Sequence, residues 1–198
     1  MLEYFKQNPK YIFLIVALLI LTLWVCYKAG QASLRHSRET EKIISRLKRE
    51  NTLCNKYAFL TPELISGSDP LELFEGVGLN LQKRVADSGN MNEEFALLTE
   101  WEKRVYALLC LMQDGSEDLT EFFRLNGEPV SSICLEAVGE YCESPEAFTY
   151  YKTLYDMFDE NNETVSFSEE EAKKAAEEFS ALCPLEGLFI KCARSAMK

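Results

Sequence analysis

Apolar and polar positions along the chain follow three regimes. From Tyr11 to Tyr27 no charge interrupts a run of mostly Leu, Ile, Val, Phe and Ala, bounded by Lys10 and Lys28. A run with no polar face predicts a helix surrounded by lipid. Gly30-Gln31-Ala32 is a weak candidate cleavage site, with Lys28 intervening, and Leu23-Trp24-Val25-Cys26 lacks the small residue that a lipoprotein signal places before its cysteine. From Lys28 to Leu60 there is no proline, and Arg35, Arg38, Lys42, Arg46 and Arg49 recur at helical spacing beside an apolar face of Ile43, Ile44 and Leu47. This predicts a basic helical stalk. Two readings of it stay open: a helix lying against anionic lipid headgroups or a copy of itself, and a solvated stalk.

Beyond Leu60, apolar residues return every three or four positions between turn signals. Thr61-Pro62 and the loop from Ser66 to Pro70 predict two helix starts. Leu98, Trp101, Val105, Leu108 and Met112 predict one long amphipathic helix in the stretch from Asn92, ended by Asp114-Gly115. Leu119, Phe122 and Phe123 mark the next, stopped by Asn126-Gly127, and Val130, Ile133, Ala137, Val138 and Tyr141 line another. Ser144-Pro145-Glu146 opens a helix with Phe148, Tyr151, Tyr155 and Phe158 inward. Ser168-x-x-Glu171 reads as a capping box leading into Ala172, Ala175, Phe179 and Leu182, before Pro184. No stretch alternates like a strand, so an all-α domain of six to eight helices is expected.

Charge sharpens the division. Residues 1–50 hold 9 Lys/Arg against 4 Asp/Glu and residues 51–198 hold 12 against 28, a net +5 followed by −16. Lys6 and Lys10 precede the apolar run and seven basic residues follow it, which places the basic side inside. The expected organisation is a short extracytoplasmic tail (1–10), a transmembrane helix (11–27), a basic juxtamembrane stalk (28–60) and an acidic helical domain (61–198). The chain is thus expected to be single-pass in the cell inner membrane or plasma membrane, with its C-terminal domain cytoplasmic. Seven cysteines form an odd set without a CxxC pair, which fits small buried residues in a reducing compartment better than a disulfide framework.

Candidate chemistry is sparse. The lone histidine, His36, lies in the basic stalk, so the acidic domain holds no Ser-His-Asp or Cys-His pair and no histidine zinc site. There is no GxGxxG before a helix, no GxxxxGK[ST], no GxSxG and no HExxH. The Asp159 to Glu163 stretch followed by Glu170 resembles a calcium loop, but Thr164 stands where that turn needs glycine and Ser166 where an apolar residue is usual. No enzyme activity and no cofactor are expected. Acidic density does stand out, with Glu117, Asp118, Glu121, Asp156, Asp159, Glu160 and Glu163 as candidate partner-binding residues. A negative field of this kind attracts a basic protein and repels nucleic acid.

Arg104-Val105-Tyr106-Ala107-Leu108-Leu109, followed by Asp114-Gly115-Ser116, Glu121-Phe122-Phe123 and Leu135-Glu136-Ala137-Val138-Gly139, resembles the acidic bacterial DNA-mimic protein family over residues 92–184. The resemblance implies an all-helical fold and imitation of the DNA phosphate array to occupy a DNA-binding regulator. The chain departs from the family pattern at Ser116-Glu117-Asp118-Leu119, where Asn-Gly-Gly-Phe is typical, and at Glu121, where glutamine is. The expectation is a membrane-tethered cytoplasmic acidic module docking a basic or nucleic-acid-binding protein, with the bilayer and, at Arg35, Arg38, Lys42, Arg46 and Arg49, anionic headgroups as further partners. Two alternatives stand beside it: a carboxylate-based enzyme, and a structural membrane protein oligomerising through its stalk.

Overall fold

Ten α-helices and no strand form among the described residues, and seven of them start at a capping side chain. The structure, a computed structural model, describes residues 9–159 and 167–195, with the side chains of 9–16, 30 and 32–35 outside that description. The helices are α1 (Pro9–Lys56), α2 (Pro62–Gly67), α3 (Pro70–Asp87), α4 (Met91–Ala96), α5 (Glu100–Asp114), α6 (Leu119–Leu125), α7 (Val130–Tyr141), α8 (Pro145–Phe158), α9 (Glu169–Leu182) and α10 (Leu185–Ser195). Thr61, Asp69, Asn90, Thr99, Asp118, Ser144 and Ser168 each accept a first-turn backbone N–H through their side chains. Such caps satisfy donors that the helix itself leaves unpaired. The all-α expectation therefore holds. The chain divides into two compact units, Met1–Arg49 and Glu50–Lys198.

In the first unit the expected transmembrane helix is corrected. Among the described residues no helix is long and apolar enough to cross a membrane. The apolar residues do not form an element of their own, because they are one stretch of the 48-residue α1, which runs on through the basic residues. The uncharged run of 17 residues from Tyr11 to Tyr27 rises about 26 Å as a helix, at the short limit for a hydrocarbon core of about 30 Å, and α1 continues from it into charge. The single-pass anchor over 11–27 is not supported, nor are the inner- or plasma-membrane location and topology drawn from it. Of the expected tail over 1–10, residues 1–8 lie outside the described residues. Ile43, Ile44 and Leu47 are exposed on α1, as are Arg38, Lys42, Arg46 and Arg49.

The second unit begins with the end of α1, where Leu53 and Tyr57 are buried in its core. Gly76 of α3 makes room for the Tyr57 ring, since a Cβ there would stand 2.2 Å from Tyr57 Cδ2. Gly78 likewise lets Leu109 approach, where a Cβ would meet Leu109 Cδ2 at 2.8 Å. Helix α5 is the centre: α3, α6, α7 and α10 all pack on it, and Ala107, Leu108, Leu109 and Leu111 are fully buried. The C-terminal α10 returns to α3 and α5, stacking Phe189 on Phe74 at 4.8 Å and receiving the Trp101 Nε1–H on the Cys192 carbonyl at 3.0 Å. Helices α8 and α9 form a second layer with α6 and α7, joined through Tyr151, Phe123 and Phe179. Ala172, Ala175 and Ala176 give α9 a flat buried face.

Nine helices lie beyond Leu60 among the described residues, where the sequence predicted six to eight. The helix expected from Asn92 is split at Leu97–Thr99, because Thr99 and Glu102 form a reciprocal capping box that starts α5 afresh. The cysteines are free, with Cys110, Cys134, Cys183 and Cys192 buried. Burial pushes the Cys110 thiol up to about 11 and those of Cys134 and Cys192 up to about 12. They are un-ionised and act as small core residues.

Candidate functional site

The loop from Asn126 to Pro129, between α6 and α7, separates the two most distinctive concavities of the folded unit. It is tied down locally. The Asn126 side chain donates to Asp114 Oδ2 at 2.8 Å and to the Phe122 carbonyl at 3.1 Å, fixing the loop to the ends of α5 and α6. The Glu128–Pro129 peptide is cis. Glu128 Oε1 accepts from Ser131 Oγ at 2.8 Å and from Tyr155 OH at 2.9 Å, which links the loop to α7 and α8.

On one side lies a cavity of ≈ 290 Å³ walled by Phe123, Tyr155 and Phe158, with Glu128, Asp159, Arg124 and Asn126 contributing polar groups. Phe123 and Phe158 stack at 5.5 Å, and Phe158 meets Phe167 edge-on at 5.1 Å. Desolvation works to raise the Glu128 carboxyl, but hydroxyls of Ser132, Ser131 and Tyr155 outweigh it and hold the group below its usual range. The Tyr155 phenol is pushed up to about 12, first by desolvation, then by its hydrogen bond to Glu128 and the charges of Glu128, Asp159 and Asp156. The field inside is therefore negative. Arg124 also lines the cavity, but its guanidinium pairs with Glu121 at 2.6 Å and lies 3.7 Å from Glu169.

On the other side lies a cleft of ≈ 640 Å³ formed by α4, α5, the start of α7 and the same loop. Met91, Phe95, Tyr106, Leu125, Val130 and Ile133 give it an apolar floor beside polar groups of Asn92, Lys103, Asn126 and Glu128. Met91 and Leu125 are 55% and 66% exposed at this cleft. Phe95 and Tyr106 pack edge to face at 5.2 Å. Lys103, the cation at this cleft, is paired with Glu100 at 3.0 Å.

A third cavity, ≈ 370 Å³, lies where the ends of α7 and α9 meet α10. Lys191 crosses it, donating to the Tyr141 carbonyl at 2.9 Å and to Glu143 at 2.7 Å. This contact closes the C-terminal end of α7, so its first account is structural. Cys183 here is pushed up to about 12 by burial and then by its hydrogen bond with Cys142. Among the described residues no group of three or more His, Cys, Asp or Glu gathers to hold a metal ion.

The candidate acids read from sequence are only partly brought together. Asp159 lines the polar cavity, and Asp156 and Glu121 stand near it through Tyr155 and Arg124 respectively. Asp156 is occupied by Lys152 at 2.7 Å. Asp118 caps α6, accepting from the Thr120 N–H at 2.9 Å and the Thr120 hydroxyl at 2.8 Å, and Glu117 is exposed just before it. Glu160 and Glu163 lie outside the described residues, as does the side chain of Arg35. Sequence reasoning missed Glu128 and read Tyr155 only as an inward helix residue; the two are 27 residues apart and meet only in the fold. The Asn126-Gly127 stop was the one local sign that a shaped loop stood there.

Another feature bears on how the negative charge is placed. Twelve of the 28 acidic side chains beyond residue 50 sit in first turns of helices, and Asp69 and Asp118 serve as N-caps. Helix N-termini carry partial positive charge that stabilises carboxylates there. A fold made of many short helices can thus tolerate a large acidic surplus. No family model, no curated protein and no solved structure matches the chain.

Proposed function

We propose that the folded unit is a non-catalytic acidic binding module that docks a basic protein. One observation carries this reading: the surplus of negative charge remains after internal pairing. Residues 51–198 hold 12 basic against 28 acidic side chains. Seven of the twelve, Lys56, Arg84, Lys103, Arg104, Arg124, Lys152 and Lys191, are already in ion pairs among the described residues. The net field outside is negative, which speeds encounter with a cationic partner and disfavours nucleic acid. The resemblance over residues 92–184 supports the same reading and nominates a DNA-binding regulator as the kind of partner.

A carboxylate-based enzyme has less support. A general acid at neutral pH needs a carboxyl raised by its surroundings, whereas the shifts resolved at Asp118, Glu128 and Glu143 are all downward. The test is capture of partners from lysate on the full chain at low salt, followed by titration of each purified partner across a salt series. Basic partners whose affinity weakens steeply with salt are expected, because exposed charge pairs are screened within about 10 Å at 0.1 M salt. Acidic partners, or affinities indifferent to salt, overturn the reading.

A further inference from the structure

The geometry points to a two-part docking site astride the Asn126–Pro129 loop, built to receive a basic amphipathic segment of a partner protein: a Lys or Arg in the polar cavity and large apolar side chains in the neighbouring cleft. This rests on the acidic-module reading and adds where the partner sits and what it must present.

The polar cavity has the chemistry of a cation receptacle. Its walls are the rings of Phe123, Tyr155 and Phe158, and its acids are Glu128 and Asp159. Carboxylates set beside apolar walls bind ammonium and guanidinium groups with charge-assisted hydrogen bonds. Glu128 accepts from the Ser131 and Tyr155 hydroxyls on one oxygen and is also held by the Ser132 hydroxyl, and a carboxylate offers about four acceptor positions, so it retains capacity for a cation. At ≈ 290 Å³ the cavity lies at the small end of ligand sites, roughly 300–1,000 Å³, and has room for one side chain. Arg124 does not spoil it, because Glu121 and Glu169 already take its charge.

The cleft next door argues for a protein segment over a free amine. It shares Asn126, Gly127 and Glu128 with the polar cavity, so one ligand can occupy both. Its exposed Met91 and Leu125 are flexible apolar side chains of the kind that receive another protein's apolar anchors. Glu128 stands on both rims and Lys103 is neutralised by Glu100, so the surroundings favour cationic flanks on the occupant.

The experiment titrates the full chain with a synthetic amphipathic Leu/Lys/Arg peptide, with a scrambled peptide of the same composition, and with free arginine. The segregated peptide is expected to bind more tightly than the scrambled one. Glu128→Gln, which keeps an oxygen for Tyr155, is expected to weaken it about tenfold and flatten its salt dependence. Leu125→Ser is expected to weaken it by a similar factor with its salt dependence intact. Leu125 is 66% exposed, so this variant keeps the core, and matching thermal unfolding of both variants with the parent verifies folding. If the peptide binds in a salt-sensitive way but neither substitution matters, the two-part site is wrong while the acidic module stands. If free arginine competes as well as the peptide, the occupant is a small amine and the inference is overturned. If nothing basic binds, both readings fail.

Discussion

Helices α5 and α9 are nearly equal in length, 15 and 14 residues, yet they divide the labour of the fold. In α5 the charges gather at the ends, Glu100 to Arg104 and Asp114, and no charge falls between. Its middle is buried on successive positions, Ala107 to Leu111, which a helix can do only when neighbours cover every side. In α9 the charges run from Glu169 to Glu178, and only Ala172, Ala175, Ala176 and Phe179 are buried. One helix is the centre of the packing and the other presents charge to solvent. The contrast teaches that cohesion and negative field reside in different helices, so each can be altered with little effect on the other.

The largest expected effect breaks the interior side of this contrast. Leu108→Ala empties a fully buried position in α5 and should cost about 2–5 kcal/mol, read as a lower denaturant midpoint. Next comes a substitution that overfills: Gly76→Ala drives a methyl into the Tyr57 ring and should cost about 1–3 kcal/mol. Its matched control, Gly187→Ala in α10, meets nothing within 4 Å and should stabilise by about 0.5–1 kcal/mol.

Asp118→Ala, at the cap of the helix that packs on both α5 and α9, should cost about 0.5–2 kcal/mol in thermal unfolding. The Thr120 hydroxyl, and then its backbone N–H, hold the Asp118 carboxyl below the usual 3.8. A carboxyl depressed in the folded state stabilises fully above its unfolded value, and that contribution is lost as pH falls through the folded one. Asp118→Asn should therefore keep the cap and show less loss of stability on acidification. An unchanged acid limb would show that Asp118 does not contribute to it.

The smallest effect sharpens the surface side. Glu177→Gln with Glu178→Gln, both exposed on α9, should leave stability within about 0.5 kcal/mol while slowing association of a basic protein at low salt. A melting point that drops as far as in Leu108→Ala would end the distinction between the two helices.

Much of the fold was legible from residues that act locally. The starts at Thr61, Asp69, Ser144 and Ser168 are short-range capping events that the helix pattern announces. The Thr99–Glu102 box was equally readable, but the spacing from Leu98 to Trp101 runs across it and conceals the break. Helix α10 escaped notice because Pro184 looked like an end, although Leu185, Leu188, Phe189 and Cys192 repeat at helical spacing. The apolar run in α1 was read as a membrane span from its uncharged length, whereas no helix among the described residues is long and apolar enough to cross a membrane and α1 continues into charge. The candidate site was legible only in sign: the sequence pointed to acids, but Glu128, whose partners lie in α7 and α8, was not among them.

By itself, then, the sequence determined the helical class, most helix starts and the split between a basic N-terminal part and an acidic remainder. These follow from periodicity, capping and charge, each of which acts within a few residues. Only the tertiary structure decided that α5 is enclosed, that Tyr57 sits on Gly76, that Trp101 reaches Cys192 across 91 residues, and that Glu128 meets Tyr155 beside Asp159. Periodicity says which face of a helix is buried but not which helix will cover it, and that choice depends on packing among residues far apart in the chain.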